Sequence, residues 1–193
     1  MVFLTLGGER MTARNMNGID LDKSRAARDL IRADGDGLVA KPQYRSTVVW
    51  DKGYHTRARV TDGQEVIGDE PVRYGGSGTG LTPQDMLLTA VGHCLAATYI
   101  GGLSAAGIAV ESLRLDVSGR VNFRAAYGVE SGNPGFENIQ VKVDIQTDSA
   151  QEEVNRILDG LLGTAPIPDT IMRPVPLDVE ISCTQAEAGA GLS

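Results

Sequence analysis

The stretch Gly75-Gly-Ser-Gly-Thr-Gly-Leu-Thr-Pro-Gln-Asp-Met-Leu-Leu-Thr-Ala-Val-Gly-His-Cys94 decides the fold. A glycine-rich loop runs into Thr82-Pro83, which reads as an N-cap residue followed by proline at the first helical position. From Met86 to Val110 no residue carries a formal charge. A helix that is apolar all round must be covered by sheet, by other helices or by a second subunit. The run is also long enough to span a bilayer. However, Thr89, His93, Thr98, Ser104 and four glycines make it too polar for that, and neither an aromatic belt nor a Lys/Arg cluster flanks it. The expectation is a buried helix of a globular core, with no membrane partner and a single thiol in its middle.

Composition narrows the rest. A chain of 193 residues suits one domain with a real core. Its net charge of −7 disfavours nucleic acid and anionic surfaces as partners. Two distant cysteines, Cys94 and Cys183, and two histidines, His55 and His93, provide neither a disulfide framework nor metal-ligand spacing. No metal or cofactor is expected. The opening Met1-Val-Phe-Leu-Thr-Leu lacks a basic segment and is too short for a signal peptide. A cytoplasmic location with reduced thiols follows. Both ends, the first residues and 184–193, are expected to fray.

Residues 20–33 form an amphipathic helix carrying Leu21, Ala27, Leu30 and Ile31, stopped at Gly35-Asp36-Gly37. Arg45 to Val60 reads as two strands pivoting at Asp51-Lys52-Gly53, and Gln64 to Tyr74 as another short strand. Three later segments alternate strictly: Leu113, Leu115, Val117 and Val121; then Ile139, Val141, Val143 and Ile145; then Val175, Leu177, Val179 and Ile181. Period-2 patterns predict strands with one wet face. Between the last two, Ser149 and Glu152 read as a capping box for a helix whose stripe is Val154, Ile157, Leu158, Leu161 and Leu162, ended by Gly163. Strands, long helix, strands, helix, strand make an α+β arrangement. The domain plan is an extension with a short helix over 1–44, a folded domain over 45–183, and a tail over 184–193.

Cys94 is the candidate nucleophile. Its helix neighbours Ala90, Val91, Ala97 and Thr98 give it an apolar seat, and mid-helix placement denies it the N-terminal dipole. Without a cation beside it, it reads as a core residue. His93 is no dyad partner, because adjacent helical residues point about 100° apart. The Gly75–Gly80 run lacks the Lys-Ser/Thr of a phosphate loop and reads as a flexible entry to the helix. Arg57, Arg59 and Arg73 precede the helix as solvated charges, unless one reaches the thiol.

Several of these features together resemble the OsmC/Ohr superfamily. They are the glycine-rich approach to Thr82-Pro83, the cysteine eleven residues after Pro83, Gly135-Phe136 before a strand, and Ala165-Pro-Ile-Pro-Asp-Thr-Ile-Met-Arg-Pro-Val-Pro. The resemblance covers residues 45 to 183. It implies antiparallel sheets wrapped on a long central helix in an intertwined homodimer, with sites at the subunit interface. It also implies reduction of organic hydroperoxides and hydrogen peroxide by a thiolate supported by an arginine and a glutamate, with a second cysteine resolving the sulfenic acid.

This chain departs from that pattern. Gln84 stands where glutamate is common, and Ala165-Pro166 stands where the second cysteine would precede proline. The implied site is therefore Cys94 with Arg57, preferred over Lys52 or Arg59, and Gln84. Cys183 follows the inward parity of Val179 and Ile181 and reads as core. Gln84 lies ten residues from Cys94, about 15 Å along a helix, so a shared site draws the two from different subunits or places them at opposite ends of a substrate cleft. The leading expectation is a thiol peroxidase acting through Cys94 with an external thiol donor. The alternative is a non-catalytic dimer that binds a small apolar ligand at its interface.

Overall fold

The computed structural model of this protein describes residues 15–184; the terminal residues 1–14 and 185–193, where fraying was expected, lie outside them. A two-residue hairpin, β1 (Asn15–Met16) and β2 (Ile19–Asp20), leads into α1 (Leu21–Asp34). An antiparallel sheet follows in the order β3 (Ser46–Lys52), β4 (His55–Val60), β5 (Glu65–Gly68). Then come α2 (Pro83–Ala105), β6 (Ser112–Val121), the single turn α3 (Phe123–Ala126), β7 (Phe136–Gln146), α4 (Gln151–Leu162) and α5 (Pro166–Met172). The fold is α+β, as the order of patterns predicts.

α2 starts as its sequence dictates. The Thr82 side chain accepts the Asp85 N–H at 3.1 Å and Pro83 occupies the first turn. The helix runs for 23 residues and is long and apolar enough to cross a membrane. One stripe of it, Val91, Leu95, Tyr99 and Leu103, is buried at four-residue spacing. The stripe is closed by β6 on one side and by α4 and α5 on the other. Gly92 sits against Val117 of β6, and Gly102 sits against Leu161 of α4.

β6 and β7 pair over their full length, with Leu113 opposite Ile145, Leu115 opposite Val143 and Val117 opposite Val141. Those residues face the helix, while Arg114, Asp116, Lys142 and Asp144 face water. The predicted alternation is met in both strands.

The equally regular Val175–Ile181 does not form a strand. It has no ladder partner among the described residues, and Leu177 and Ile181 are 87% and 86% exposed. A strand needs an edge to bond to, and none of the described residues brings one to this segment. Cys183, expected to be core, is exposed for the same reason.

Two other expectations need correction. The capping box at Ser149 does not form, because the Thr147 hydroxyl takes the Ser149 N–H and α4 starts one residue later behind Ala150, with no side-chain cap. The short strand expected to reach Tyr74 ends at Gly68, and Val72–Tyr74 is a 3₁₀ turn. α1 forms as predicted, capped by Asp20 and ended by Gly35 at φ 61°. Its apolar stripe, however, is uncovered: Leu30 and Ile31 are exposed.

The N-terminal hairpin is tied to the body by one side chain. Asn17 sits at φ 52°, a left-handed turn position that asparagine tolerates. Its amide donates to the Ser104 hydroxyl and the Ile108 carbonyl and accepts from the Val110 N–H, all at 2.9 Å. Two of these bonds satisfy backbone groups that the turn into β6 leaves without helical partners, and the third engages the Ser104 hydroxyl.

The neighbouring glycines Gly101 and Gly102 separate helix propensity from packing. An added Cβ meets nothing at Gly101 and collides with the Leu161 side chain at Gly102. Gly101→Ala is expected to raise stability by about 0.4–1 kcal/mol. Gly102→Ala is expected to lower it by about 1–3 kcal/mol. Denaturant midpoints measured on both variants check the contrast.

Candidate functional site

Cys94 lies on the flank of α2 that faces α5, half-buried beside the Val91, Leu95, Tyr99 and Ala165 cluster. Its Sγ accepts the backbone N–H of Ile167 at 3.4 Å. That contact follows from local sequence. Pro166 and Pro168 have no N–H, and the Asp169 N–H bonds back to the Ala165 carbonyl. In the first turn of α5 the Ile167 amide is thus the one N–H left to find an acceptor, and the sulfur provides it. Ala165, which stands where the resemblance implies a second cysteine, is fully buried in the same cluster. The thiol therefore meets a methyl group and an amide.

The structure does not bring Arg57 or Gln84 to this sulfur within the chain. Arg57 is on β4, and its guanidinium makes a two-pronged contact with Asp51, at 2.9 Å from Nε and 2.8 Å from Nη2. His55 Nδ1 adds a third contact to Asp51 at 2.9 Å. The Arg57 guanidinium, and then His55, pull the Asp51 carboxyl below the usual range. Gln84 is half-buried in the first turn of α2 and opens onto a cleft of about 520 Å³ shared with Arg73, Tyr74, Arg120 and Phe123. Tyr74 and Phe123 meet edge to face there, with ring centroids 5.4 Å apart. His93 is exposed and borders a separate cleft of about 470 Å³ between α2 and β6. Both clefts along α2 draw on Asp85 and Leu88.

The residue that sequence reasoning missed is Asp69. It is only 3% exposed and accepts from the Glu70, Ser77 and Thr79 N–H groups and from the Ser77 and Thr79 hydroxyls. The glycine-rich loop is thus folded around a carboxylate of its own chain. The close return explains two of its glycines: a Cβ at Gly76 would overlap the Glu70 backbone, and one at Gly80 the backbone of Ile67 and Gly68. Amides that might have cradled a phosphate are already engaged, so the loop is a rigid entry to α2 rather than a flexible one. The Ser77 hydroxyl first, and then the Thr79 N–H, hold the Asp69 carboxyl well below the usual carboxylate range. Its only sequence signal was an acid placed shortly before a glycine run containing Ser and Thr.

A model of the OsmC-like protein family matches residues 76–180. No curated protein matches the chain in sequence. Among solved structures, an OsmC-like protein from Mycoplasma pneumoniae superposes with a TM-score of 0.58 at 21% identity, covering 67% of this chain and 87% of that one. An organic hydroperoxide resistance protein OsmC from Legionella pneumophila superposes at 0.50 and 14% identity, covering 67% and 88%. A putative organic hydroperoxide resistance protein from Vibrio cholerae, with captopril bound in one of its active sites, superposes at 0.50 and 16% identity, covering 66% and 84%. At these identities the likeness establishes the fold.

A lowered carboxyl pKa contributes stability that is present above the ordinary Asp value of about 3.9. That contribution is lost as pH falls through the folded-state value. Asp69→Asn is therefore expected to melt below the wild type at pH 7, with the gap narrowing as pH drops below about 4. Thermal melts of both proteins between pH 7 and pH 3 test this; a gap that stays constant would mean that the charge on Asp69 does not matter.

Proposed function

The chain belongs to the OsmC-like protein family, and from that premise we propose that it is a cytoplasmic thiol peroxidase that reduces hydroperoxides through Cys94 at the expense of an external thiol. The observation that carries this reading is the setting of the sulfur. Cys94 is half-buried in an apolar cluster, accepts one directed N–H from Ile167, and has a buried alanine where a second thiol would resolve it. The Cys94 thiolate attacks the peroxide and the O–O bond breaks; the hydroxyl stays on sulfur as a sulfenic acid, and the alkoxide takes a proton from water and leaves as the alcohol. An external thiol then forms a mixed disulfide, and a second thiol restores Cys94.

The working form in this proposal is a homodimer. α2 is covered along one stripe, while Leu87 and Ala97 on its outer side, Val48 and Trp50 on β3, and the whole Val175–Ile181 stripe face water. Apolar surface of that extent marks an interaction face, and a second copy supplies apolar faces of the same kind. Arg57 remains the candidate cation for the thiol and Gln84 a neutral hydrogen-bonding neighbour, each reaching Cys94 from the other copy. Arg57 would arrive with Asp51 attached or after exchanging it for the sulfur.

A second reading is favoured by the cleft at Gln84, whose aromatic wall and mixed rim suit a small organic ligand. In that reading the dimer binds such a ligand without turning it over.

Two measurements address these proposals. Wild-type protein with dithiothreitol is expected to consume cumene hydroperoxide, and Cys94→Ser to fall to the rate of dithiothreitol alone. Equal consumption by both would exclude the peroxidase and leave the binding reading. Light scattering on the eluted protein should give about twice the chain mass of 20.4 kDa; a single-chain mass would remove the dimer and, with it, the route for Arg57 to Cys94.

A further inference from the structure

Oxidation of Cys94 would leave a sulfenic acid with no second thiol beside it. Ala165 is fully buried in the cluster around the sulfur, and the chain's other cysteine, Cys183, is exposed on the extended segment beyond α5. A sulfenic acid that persists is open to further, irreversible oxidation. The group that does stand against the sulfur is the Ile167 amide, whose nitrogen is 3.4 Å from Sγ. We propose that the Cys94 sulfenic acid condenses with the Ile167 backbone nitrogen to a sulfenamide, a reversible cap that protects the thiol between turnovers. The inference rests on the peroxide oxidation of Cys94 proposed above.

The chemistry balances without another oxidant. The hydroperoxide has already taken the two electrons in forming the sulfenic acid. In the condensation the S–O bond breaks and the S–N bond forms. The amide proton leaves with the hydroxyl as water, and the oxidation state of sulfur does not change. A thiol of low molecular mass then attacks the sulfur, the nitrogen takes back a proton, and a mixed disulfide forms; a second thiol releases Cys94.

Local structure singles out this nitrogen. Along the chain around it, the Ala165 N–H bonds to the Leu162 carbonyl and the Asp169 N–H to the Ala165 carbonyl, and Pro166 and Pro168 have no N–H. Ile167 is therefore the amide that can lose its proton without breaking a backbone hydrogen bond. Its side chain packs in the same cluster as Cys94, which holds the two atoms in contact. The apolar surroundings also limit the water that would reverse the condensation.

The test uses the full chain carrying Cys183→Ser, treated with one equivalent of cumene hydroperoxide and digested with trypsin. The expected product is a pair of peptides, one with Cys94 and one with Ile167, joined with the loss of two hydrogens and separated by dithiothreitol. Ile167→Pro in the same background, which removes the amide proton at a position with no helical bond to lose, is expected to abolish the joined species and, when a second equivalent of the hydroperoxide is added, to pass on to sulfinic acid. Unjoined peptides with Cys94 carrying one or more oxygens would overturn the sulfenamide and leave the peroxidase reading intact. A Cys94–Cys183 disulfide in the wild type, with no joined species in the Cys183→Ser protein, would also overturn it. An unchanged mass would overturn both readings together.

Discussion

An uncharged helix buried along one stripe is the constraint from which the rest of this structure follows. The apolar side chains of that stripe gain nothing by facing water, whereas Leu87 and Ala97 on the outer side are left exposed within the single chain. The chain answers on one side with the β6–β7 hairpin and on another with α4 and α5, and each approach is set by a small residue. Gly92 admits Val117, and Gly102 admits Leu161. Close approach of the sheet and of α4 is what brings α5 over the middle of α2. The Cys94 environment is thus a consequence of how the helix is covered, and any chemistry at the sulfur inherits its geometry from that packing.

Both ends of α2 are fixed by polar side chains that lie elsewhere in sequence. At the start, Asp69 gathers four donors from the glycine-rich loop and a fifth from the Glu70 N–H, and so sets the direction in which Thr82 and Pro83 enter the helix. At the end, Asn17 bonds Ser104, Ile108 and Val110 across the turn into β6. Buried polar groups are costly without partners, and here each has its full set. The same principle acts at Ile167, where two prolines leave one amide to be satisfied and the nearest acceptor is a sulfur. In all three cases an unpaired donor or acceptor is matched by one specific side chain, which selects a single arrangement rather than a general collapse.

How much could be read in advance depended on where the partner of each pattern lies. Strands β6 and β7 were legible because their alternating residues pair with each other within the chain, Leu115 with Val143 and Val117 with Val141. The Val175–Ile181 alternation is just as regular and yields no strand, because alternation states which face wants cover and not which edge will supply the hydrogen bonds. The capping box at Ser149 failed by one residue, displaced by a Thr147 hydroxyl that the pattern does not take into account. Of the candidate site, Cys94 was chosen from its place in the motif, while Arg57 pairs its guanidinium with Asp51, which sits six residues earlier at the bulge between Trp50 and Lys52.

What the sequence determined alone is the set of elements whose causes are local: the Thr82-Pro83 start of α2, its uncharged length, the alternating strands that meet each other, and the Asp20 and Gly35 ends of α1. Propensity, capping and periodicity act over a few residues and can be read over a few residues. What only the tertiary structure decided is which groups meet across long stretches of chain. Examples are a sulfur with an amide 73 positions later and Asn17 with the far end of the central helix. Those meetings depend on shape and on unsatisfied hydrogen bonds, and neither exists until the elements have packed.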